Sequence, residues 1–255
     1  MITEDTSKGL GLIDLYEAIF KKTNSGGISM PKNLLIWDFD GVLADSEHLW
    51  VQNWTDTLRK LYNFCLSAAQ QKQYLEGKAD KTKVELLAHD LPNLKLGDDF
   101  WYEIHANEDR LIASELTLTD NIEKILDDKN FAQCVATGAT IEKHNKKTSK
   151  LGLGKYFDEH NTFTAYMVAN GKPAPDIFLY AAQKMGFEPQ NCLVIEDSLA
   201  GIKAAKAANI PVIAYIGATG HDNPEYSAAC LEAGAFAVSN NMLEVQQLIK
   251  QHFQN

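Results

Sequence analysis

Short runs of apolar residues alternate along much of the chain with longer stretches in which apolar residues return every three or four positions. The short runs predict β-strands over 34–37 (LLIW), 132–136 (AQCVA), 192–195 (CLVI), 211–216 (PVIAYI) and 235–238 (AFAV). The longer stretches predict helices over 139–151, 175–185, 198–208 and 241–253. Strands alternating with helices of this length indicate an α/β fold, a parallel sheet with helices on both faces.

One long stretch breaks this alternation. Between about 47 and 115 the pattern predicts only helices, over 48–64, 67–76, 80–89 and 98–113. A helical block between the first strand and the second suggests an inserted cap domain. We therefore predict three parts: an N-terminal extension at 1–30 with a helix over 9–23, a catalytic core formed by 31–46 and 116–255, and a helical cap over 47–115.

Composition and charge narrow the class of protein. The 255 residues are 45% hydrophobic and 23% charged, as in an ordinary globular protein. The formal net charge of −10 argues against nucleic acid or an acidic membrane as partner, because either would need a basic face. The start, MITEDTSKGL, lacks the pattern of a secretion signal. No apolar run approaches the roughly 20 residues that cross a bilayer. We expect a cytoplasmic protein, and a monomer rather than an oligomer.

Acidic and hydroxyl side chains follow three of the predicted strands. Asp38 and Asp40 follow the first strand, Thr137 the second, and Glu196 and Asp197 the third. Because the carboxyl ends of parallel strands share one edge, where ligands bind, these side chains should meet in one crevice. Carboxylates at close range repel by on the order of 4 kcal/mol per pair at intermediate dielectric, so either a cation offsets the repulsion or some of the acids stay protonated. Oxygen ligands that leave room for phosphate favour Mg²⁺, held by Glu196 and Asp197 with Asp38 and the Asp40 carbonyl.

Such a crevice has the parts that phosphoryl transfer requires. Asp38 would attack phosphorus and form an aspartyl phosphate, and Asp40 would donate a proton to the leaving group and later take one from water. Thr137 and the Gly138 amide would hold phosphate oxygens. Lys172, in a loop stiffened by prolines, would fix Asp38 and the phosphate.

Four segments in this order resemble the motifs of the haloacid-dehalogenase superfamily: DFDGVLADSE (38–47), ATGAT (136–140), GKPAPDIF (171–178) and VIEDSLAG (194–201). More narrowly, they resemble its phosphatase and β-phosphoglucomutase-like branch, which carries a helical cap after the first motif. The resemblance covers roughly residues 32–250. It implies a Rossmann-like core, a cap that closes over the substrate, and the residue roles given above. Val42 and Ala139 stand where relatives often have Thr and Ser.

The cap should select the substrate, and two residues are candidates for contacting it. Lys78 follows Gly77 between two cap helices, where relatives project a specificity loop, and would meet an anionic or polyhydroxylated substrate. His48, just after the first motif, would face the active site. A solvated lysine and a histidine on a hinge helix are the plainer alternatives.

The leading functional hypothesis is a Mg²⁺-dependent phosphatase acting on a small phosphorylated metabolite of the sugar phosphate, phosphogluconate or phosphoglycolate type. A β-phosphoglucomutase-like mutase would use the same phosphoaspartate and differ by returning the phosphoryl group to a sugar. A phosphate-binding regulatory module is the non-enzymatic alternative, since receiver domains also combine acids, a Thr and a Lys around Mg²⁺. The long helical insert and the full catalytic set favour the phosphatase.

Overall fold

The computed structural model describes residues 31–254, apart from residues 77, 79 and 219–221. The extension at 1–30 and the helix predicted over 9–23 therefore lie outside the described residues. In chain order the strands and α-helices are β1 (Leu34–Trp37), β2 (Ala44–Asp45), α1 (Glu47–Tyr62), α2 (Ala68–Tyr74), α3 (Asp80–Asp90), α4 (Asp98–Ser114), β3 (Thr117–Leu118), α5 (Glu123–Leu126), β4 (Ala132–Thr137), α6 (Ile141–Lys150), β5 (Thr162–Thr164), α7 (Asp176–Met185), β6 (Cys192–Glu196), α8 (Leu199–Ala207), β7 (Val212–Tyr215), α9 (Pro224–Ala233), β8 (Ala237–Ser239) and α10 (Met242–Gln254).

The main sheet has six parallel strands in the order β5-β4-β1-β6-β7-β8. Strand β1 lies at the centre, with Trp37 level with Val135 on one side and with Ile195 on the other. This register brings the carboxyl ends of β1, β4 and β6 to the same edge. The predicted α/β class with a Rossmann-like parallel sheet is confirmed.

Both faces of the sheet are buried, which explains why its strands are apolar throughout rather than alternating. Leu35 and Trp37 of β1 pack on one face in a cluster that includes side chains of α10. Leu34 and Ile36 pack on the other face with side chains of α7 and α8. All four side chains are fully buried.

Helices α1 to α4 form the inserted cap and have an apolar cluster of their own. Trp54, Phe100 and Trp101 meet edge to face within this cluster, with ring centroids 5.0, 5.7 and 5.3 Å apart. The two chain segments that join the cap to the core pair as a short antiparallel ribbon, β2 with β3. The cap therefore has its own apolar cluster, and the paired strands β2 and β3 connect it to the catalytic core.

The elements predicted within the described residues appear in the structure with small shifts at their ends, but several further elements were not predicted. Strand β5 is only three residues long and reads TFT, too short and too polar for an apolar run. Helix α9 begins behind an Asn223 cap with Pro224 at its first position, yet it buries only Cys230 and Ala233, so its apolar pattern is weak. The two-residue strands β2 and β3 and the four-residue α5 are below the length at which periodicity carries a signal.

Candidate active site

The turn after β1 presents Asp38 and Asp40 at the sheet edge. The Asp38 amide still donates to the Ile195 carbonyl at 2.9 Å, so Asp38 continues the ladder of the sheet. The chain then reverses around Phe39, whose carbonyl accepts bonds from the amides of residues 42, 43 and 44 at 3.4, 2.9 and 3.0 Å. Gly41 makes this possible with a φ of +78°, a conformation that side chains with a Cβ rarely adopt.

Three carboxylates converge at this edge. Asp38, Glu196 and Asp197 each offer an oxygen, and these three oxygens lie within 4.8 Å of one another. The residues are 8%, 1% and 8% exposed, so little water offsets their charge. Buried oxygen ligands at this spacing suit a hard divalent cation such as Mg²⁺. The acids that follow β1 and β6 therefore lie together at one edge of the sheet, as the sequence predicted.

Lys172 supplies the fixed positive charge beside these acids. Its ammonium nitrogen lies 2.5 Å from Asp38 Oδ1 and 2.7 Å from Glu196 Oε1. Burial disfavours the charge on Lys172, but the two carboxylates outweigh it and raise the pKa of this lysine. The other Glu196 oxygen accepts the Ser198 amide at 2.6 Å, so this carboxylate also holds the start of α8.

One lysine does not neutralise the whole cluster. Burial is the main cause that raises the pKa of Asp38 to about 7, and the Lys172 charge offsets it only in part. Burial, followed by the charges of Glu196 and Asp38, raises the pKa of Asp197 well above its usual range. These carboxyls therefore favour a further positive charge at the site, and a divalent cation would provide it.

Asp40 has different partners from the three clustered acids. Both of its carboxylate oxygens lie 2.7 Å from the Lys147 ammonium, and Oδ1 also accepts from the Ser46 hydroxyl at 2.9 Å. Burial would raise the pKa of Asp40, but the Lys147 charge and the hydrogen bonds from Lys147 and Ser46 together lower it. The Asp40 side chain is thus occupied, which leaves its backbone carbonyl as the group it would offer to a metal.

Thr137 and Gly138 line the opposite side of the same edge. Thr137 ends β4, is 1% exposed, and accepts the Ala139 amide on its hydroxyl oxygen at 3.1 Å. Helix α6 begins shortly after, capped by Thr140, whose side chain accepts the Lys143 amide at 3.3 Å. Hydroxyl and amide groups before a helix N-terminus are suited to holding phosphate oxygens.

The site opens into a cavity of about 420 Å³ between the core and the cap. Core residues of the site line its floor, and cap residues line its roof: Trp50, Asn53, Trp54, Lys78, Lys83 and Ile104. Lys78 therefore lies where the sequence placed it, at the cavity. Its ammonium donates to the carbonyls of Lys72 at 3.1 Å and Glu76 at 3.0 Å, and burial lowers its pKa.

His48 does not reach this cavity. It borders a separate pocket with Val51, Gln52 and Thr55, and its Nδ1 lies 3.4 Å from Asp45 Oδ1. Helix α1 turns about 100° per residue, so the side that carries Trp50 and Trp54 faces the cavity while His48 points away from it. The structure gives His48 no position from which to contact a substrate beside Asp38.

Two ion pairs and one hydrogen bond join helix α6 of the core to helix α4 of the cap. Lys143 lies 2.6 Å from Glu108, and Lys146 lies 3.0 Å from Asp109. Lys150 donates to the Ala113 carbonyl at 2.6 Å. We call these contacts the α4–α6 seam; its residues Glu108 and Lys143 line one side of the cavity.

Gly201 gives a direct test of the Glu196 position. A Cβ at residue 201 would lie 1.7 Å from Glu196 Oε1, although Ala is otherwise favoured over Gly in a helix such as α8. We expect Gly201→Ala to displace the Glu196 carboxylate, to lower stability by about 1–3 kcal/mol, and to lower activity. Thermal melting and steady-state assays would check this against Gly154→Ala, where a Cβ meets nothing within 4 Å. Unchanged activity in Gly201→Ala would contradict the role of Glu196.

A parallel sheet with a helical cap above its carboxyl edge, and acids and a lysine gathered at that edge, are features of an α/β enzyme whose site lies between core and cap. Comparison with known proteins agrees. The model of the haloacid dehalogenase-like hydrolases matches residues 32–209, and the chain belongs to this family. Its motifs and cap correspond to the phosphatase and β-phosphoglucomutase-like branch.

Individual relatives span nearly the whole described chain. A phosphorylated carbohydrates phosphatase of Thermotoga maritima is 27% identical over 210 residues, which cover 80% of this chain and 92% of that protein. The 6-phosphogluconate phosphatase of Escherichia coli is 25% identical over 192 residues, covering 74% and 85%. A solved haloacid dehalogenase-like protein of Agrobacterium tumefaciens superposes with a TM-score of 0.77 at 26% identity, covering 86% and 98%. The predicted enzyme class, a phosphoric monoester hydrolase, is confirmed. Among the described residues, no helix is both long enough and apolar enough to cross a membrane.

Proposed function

We propose that this chain is a Mg²⁺-dependent phosphatase that hydrolyses a small phosphorylated metabolite through an aspartyl phosphate on Asp38. The observation that carries the proposal is the Lys172 ammonium between Asp38 and Glu196, 2.5 and 2.7 Å from their oxygens, at the floor of the cavity. This places a buried carboxylate beside a fixed positive charge and beside two further acids. That is the environment a carboxylate nucleophile needs to approach an anionic phosphate.

The residues of the chain divide the reaction among themselves. Asp38 attacks phosphorus while Lys172 keeps its carboxylate oriented and offsets the charge of the phosphate. Thr137 and the amide of Gly138 hold phosphate oxygens, and Asp40 gives the leaving oxygen its proton and then takes one from the attacking water.

Asp38, Glu196 and Asp197, with the Asp40 carbonyl, would hold Mg²⁺. When bound, the ion supplies positive charge that offsets the carboxylates and the phosphate oxygens. The fit rests on the carboxylate oxygens, which lie within 4.8 Å of one another, and on the raised pKa of Asp38 and Asp197.

The substrate class we propose is a phosphorylated sugar or sugar acid, bound between the core, 31–46 and 116–255, and a cap that runs over 47–115. The relatives named for phosphorylated carbohydrates and for 6-phosphogluconate support it. A cavity of about 420 Å³ has room for such a molecule. Lys78 would contact its polar end. We propose a cytoplasmic monomer that acts on small molecules rather than on nucleic acid or membranes.

A screen of phosphorylated metabolites for release of inorganic phosphate with Mg²⁺ tests the proposal. Sugar phosphates, 6-phosphogluconate and phosphoglycolate would be compared, with Asp38→Asn as control. We expect phosphate release from at least one of them. Isomerisation of a sugar phosphate without phosphate release would favour the mutase instead. Absence of turnover with every ester, with Asp38→Asn behaving as the unaltered chain, would favour the phosphate-binding regulatory module.

Metal binding should depend on pH in a defined direction. Because the pKa of Asp38 is raised to about 7 and that of Asp197 is raised as well, Mg²⁺ competes with protons below about pH 7. We expect a chelator to silence the enzyme and Mg²⁺ to restore it. We also expect Mg²⁺ to raise the melting temperature more at pH 8 than at pH 6, because it must displace protons at the lower pH. Thermal melts at matched ionic strength would measure this, and an equal rise at both pH values would contradict the assigned ligands.

A further inference from the structure

Lys147 is a buried lysine whose ammonium forms hydrogen bonds to one carboxylate of the site, that of Asp40. It lies on α6, 107 residues from Asp40 in sequence, and its ammonium is 2.7 Å from both Asp40 oxygens. Its side chain is 4% exposed, whereas that of Asp40 is 30% exposed. An ammonium that far from water is costly to bury, so the pair with Asp40 has to offset that cost.

The remaining side of the ammonium faces an aromatic ring. Lys147 Nζ lies 4.9 Å from the centroid of the Trp50 ring, which belongs to cap helix α1. Two of the three N–H donors of a lysine thus serve the Asp40 oxygens, and the third side meets the Trp50 face. This arrangement leaves Lys147 little capacity to bind a substrate directly and commits it to Asp40.

Ser46 completes the restraint from a different direction. Its hydroxyl donates to Asp40 Oδ1 at 2.9 Å. With Lys147 on both oxygens and Ser46 on one, the Asp40 carboxyl cannot rotate without losing hydrogen bonds. Ser46 alone would fix one oxygen and leave the carboxyl free to turn about it.

We propose that Lys147 is a positioning residue that holds the Asp40 carboxyl in the orientation from which it transfers protons in both halves of the reaction. This inference rests on the proposed phosphatase function. In the first half, Asp38 bonds to phosphorus and the bond from phosphorus to the alcohol oxygen breaks. Asp40, protonated on one oxygen and still bonded to Lys147 through the other, gives the alcohol oxygen its proton. In the second half, water bonds to phosphorus and gives a proton to Asp40, and the bond to Asp38 breaks, releasing inorganic phosphate and the Asp38 carboxylate.

Substrates with different leaving groups distinguish a positioning role of Lys147 from a purely structural role. A sugar alkoxide must be protonated as it leaves, whereas p-nitrophenolate leaves as a stable anion without a proton. In Lys147→Met we therefore expect first-turnover cleavage of the sugar phosphate to fall about a hundredfold, the scale of general acid–base catalysis. First-turnover release of p-nitrophenolate should change little, followed by slow breakdown of the phosphoenzyme. Lys147→Arg, which can still bond both oxygens, should recover part of the loss.

Lys155→Met is the matched control, since Lys155 is an exposed lysine of the core that pairs with Glu123 on the surface at 3.1 Å and does not line the cavity. We expect it to cleave both substrates at the rate of the unaltered chain. Equal falls with the two substrates in Lys147→Met would overturn the inference, because they would indicate a collapsed site or a charge acting on the phosphate itself. Unchanged rates with both would overturn it too. Absence of turnover in the unaltered chain would instead overturn the proposed function, and this inference with it.

Discussion

Asp38→Asn is expected to abolish turnover, with a fall in kcat of at least about a thousandfold. An amide of the same shape cannot attack phosphorus to form an acyl phosphate. It also removes one of the three carboxylates whose oxygens lie within 4.8 Å, and so weakens metal binding. Steady-state release of phosphate, together with detection of a phosphorylated Asp38 in the unaltered chain, would measure the effect.

The same substitution should leave the fold intact, which makes its result interpretable. Because burial raises the pKa of Asp38 to about 7, its charged form destabilises the metal-free protein above that pH. Replacing it by a neutral side chain should therefore leave the melting temperature at pH 8 unchanged or higher. Asp98→Asn, on the exposed first turn of α4, is the control for charge removal. Near-normal turnover in Asp38→Asn would refute the nucleophile.

Lys172→Ala should have the second largest effect, a loss of about a thousandfold in kcat. The Lys172 ammonium lies within 2.7 Å of both Asp38 and Glu196, and no other lysine that the structure describes contacts these two carboxylates. Without this lysine, the Asp38 carboxylate loses the contact that orients it. The negative charge of the phosphate also loses the positive charge that would offset it.

The melting temperature of Lys172→Ala should differ from that of Asp38→Asn. Removing Lys172 leaves buried carboxylates facing each other, so we expect a lower melting temperature in metal-free buffer at neutral pH and partial recovery with Mg²⁺. Lys184→Ala, an exposed lysine on α7, is the matched control and should behave as the unaltered chain. Retained activity in Lys172→Ala would mean that another group performs its role.

The residues at the carboxyl edge of the sheet could be predicted from the sequence, because each of them directly follows an apolar run. Apolar runs end in Asp38, Thr137 and Glu196, and a topological rule places the ends of parallel strands at one edge, so convergence follows without coordinates. The short strand β5 and helix α9 escape the same method. Neither has an apolar pattern long enough to predict a strand or a helix from sequence. Both elements depend on contacts with the rest of the folded chain.

Lys147 and His48 show a second limit of prediction from sequence: the direction in which a helical side chain points. Lys147 stands in a lysine-rich helix whose other lysines face the surface or the cap, and only the folded chain shows that it alone reaches Asp40. His48 sits next to a catalytic motif, but its place on α1 turns it away from the cavity that Trp50 faces. A residue next to the first motif in sequence thus lies outside the cavity, and a residue far from Asp40 in sequence contacts it.

The α4–α6 seam has a consequence for how the enzyme responds to its surroundings. The Lys146–Asp109 pair is 44% and 61% exposed, so dissolved ions compete with it, whereas the Lys147 side chain is 4% exposed and is shielded from them. We therefore expect rising ionic strength to weaken this pair of the α4–α6 seam without disturbing the Asp40–Lys147 pair. The attachment of the cap and the orientation of Asp40 thus differ in their exposure to dissolved ions, although both involve lysines of one ten-residue helix.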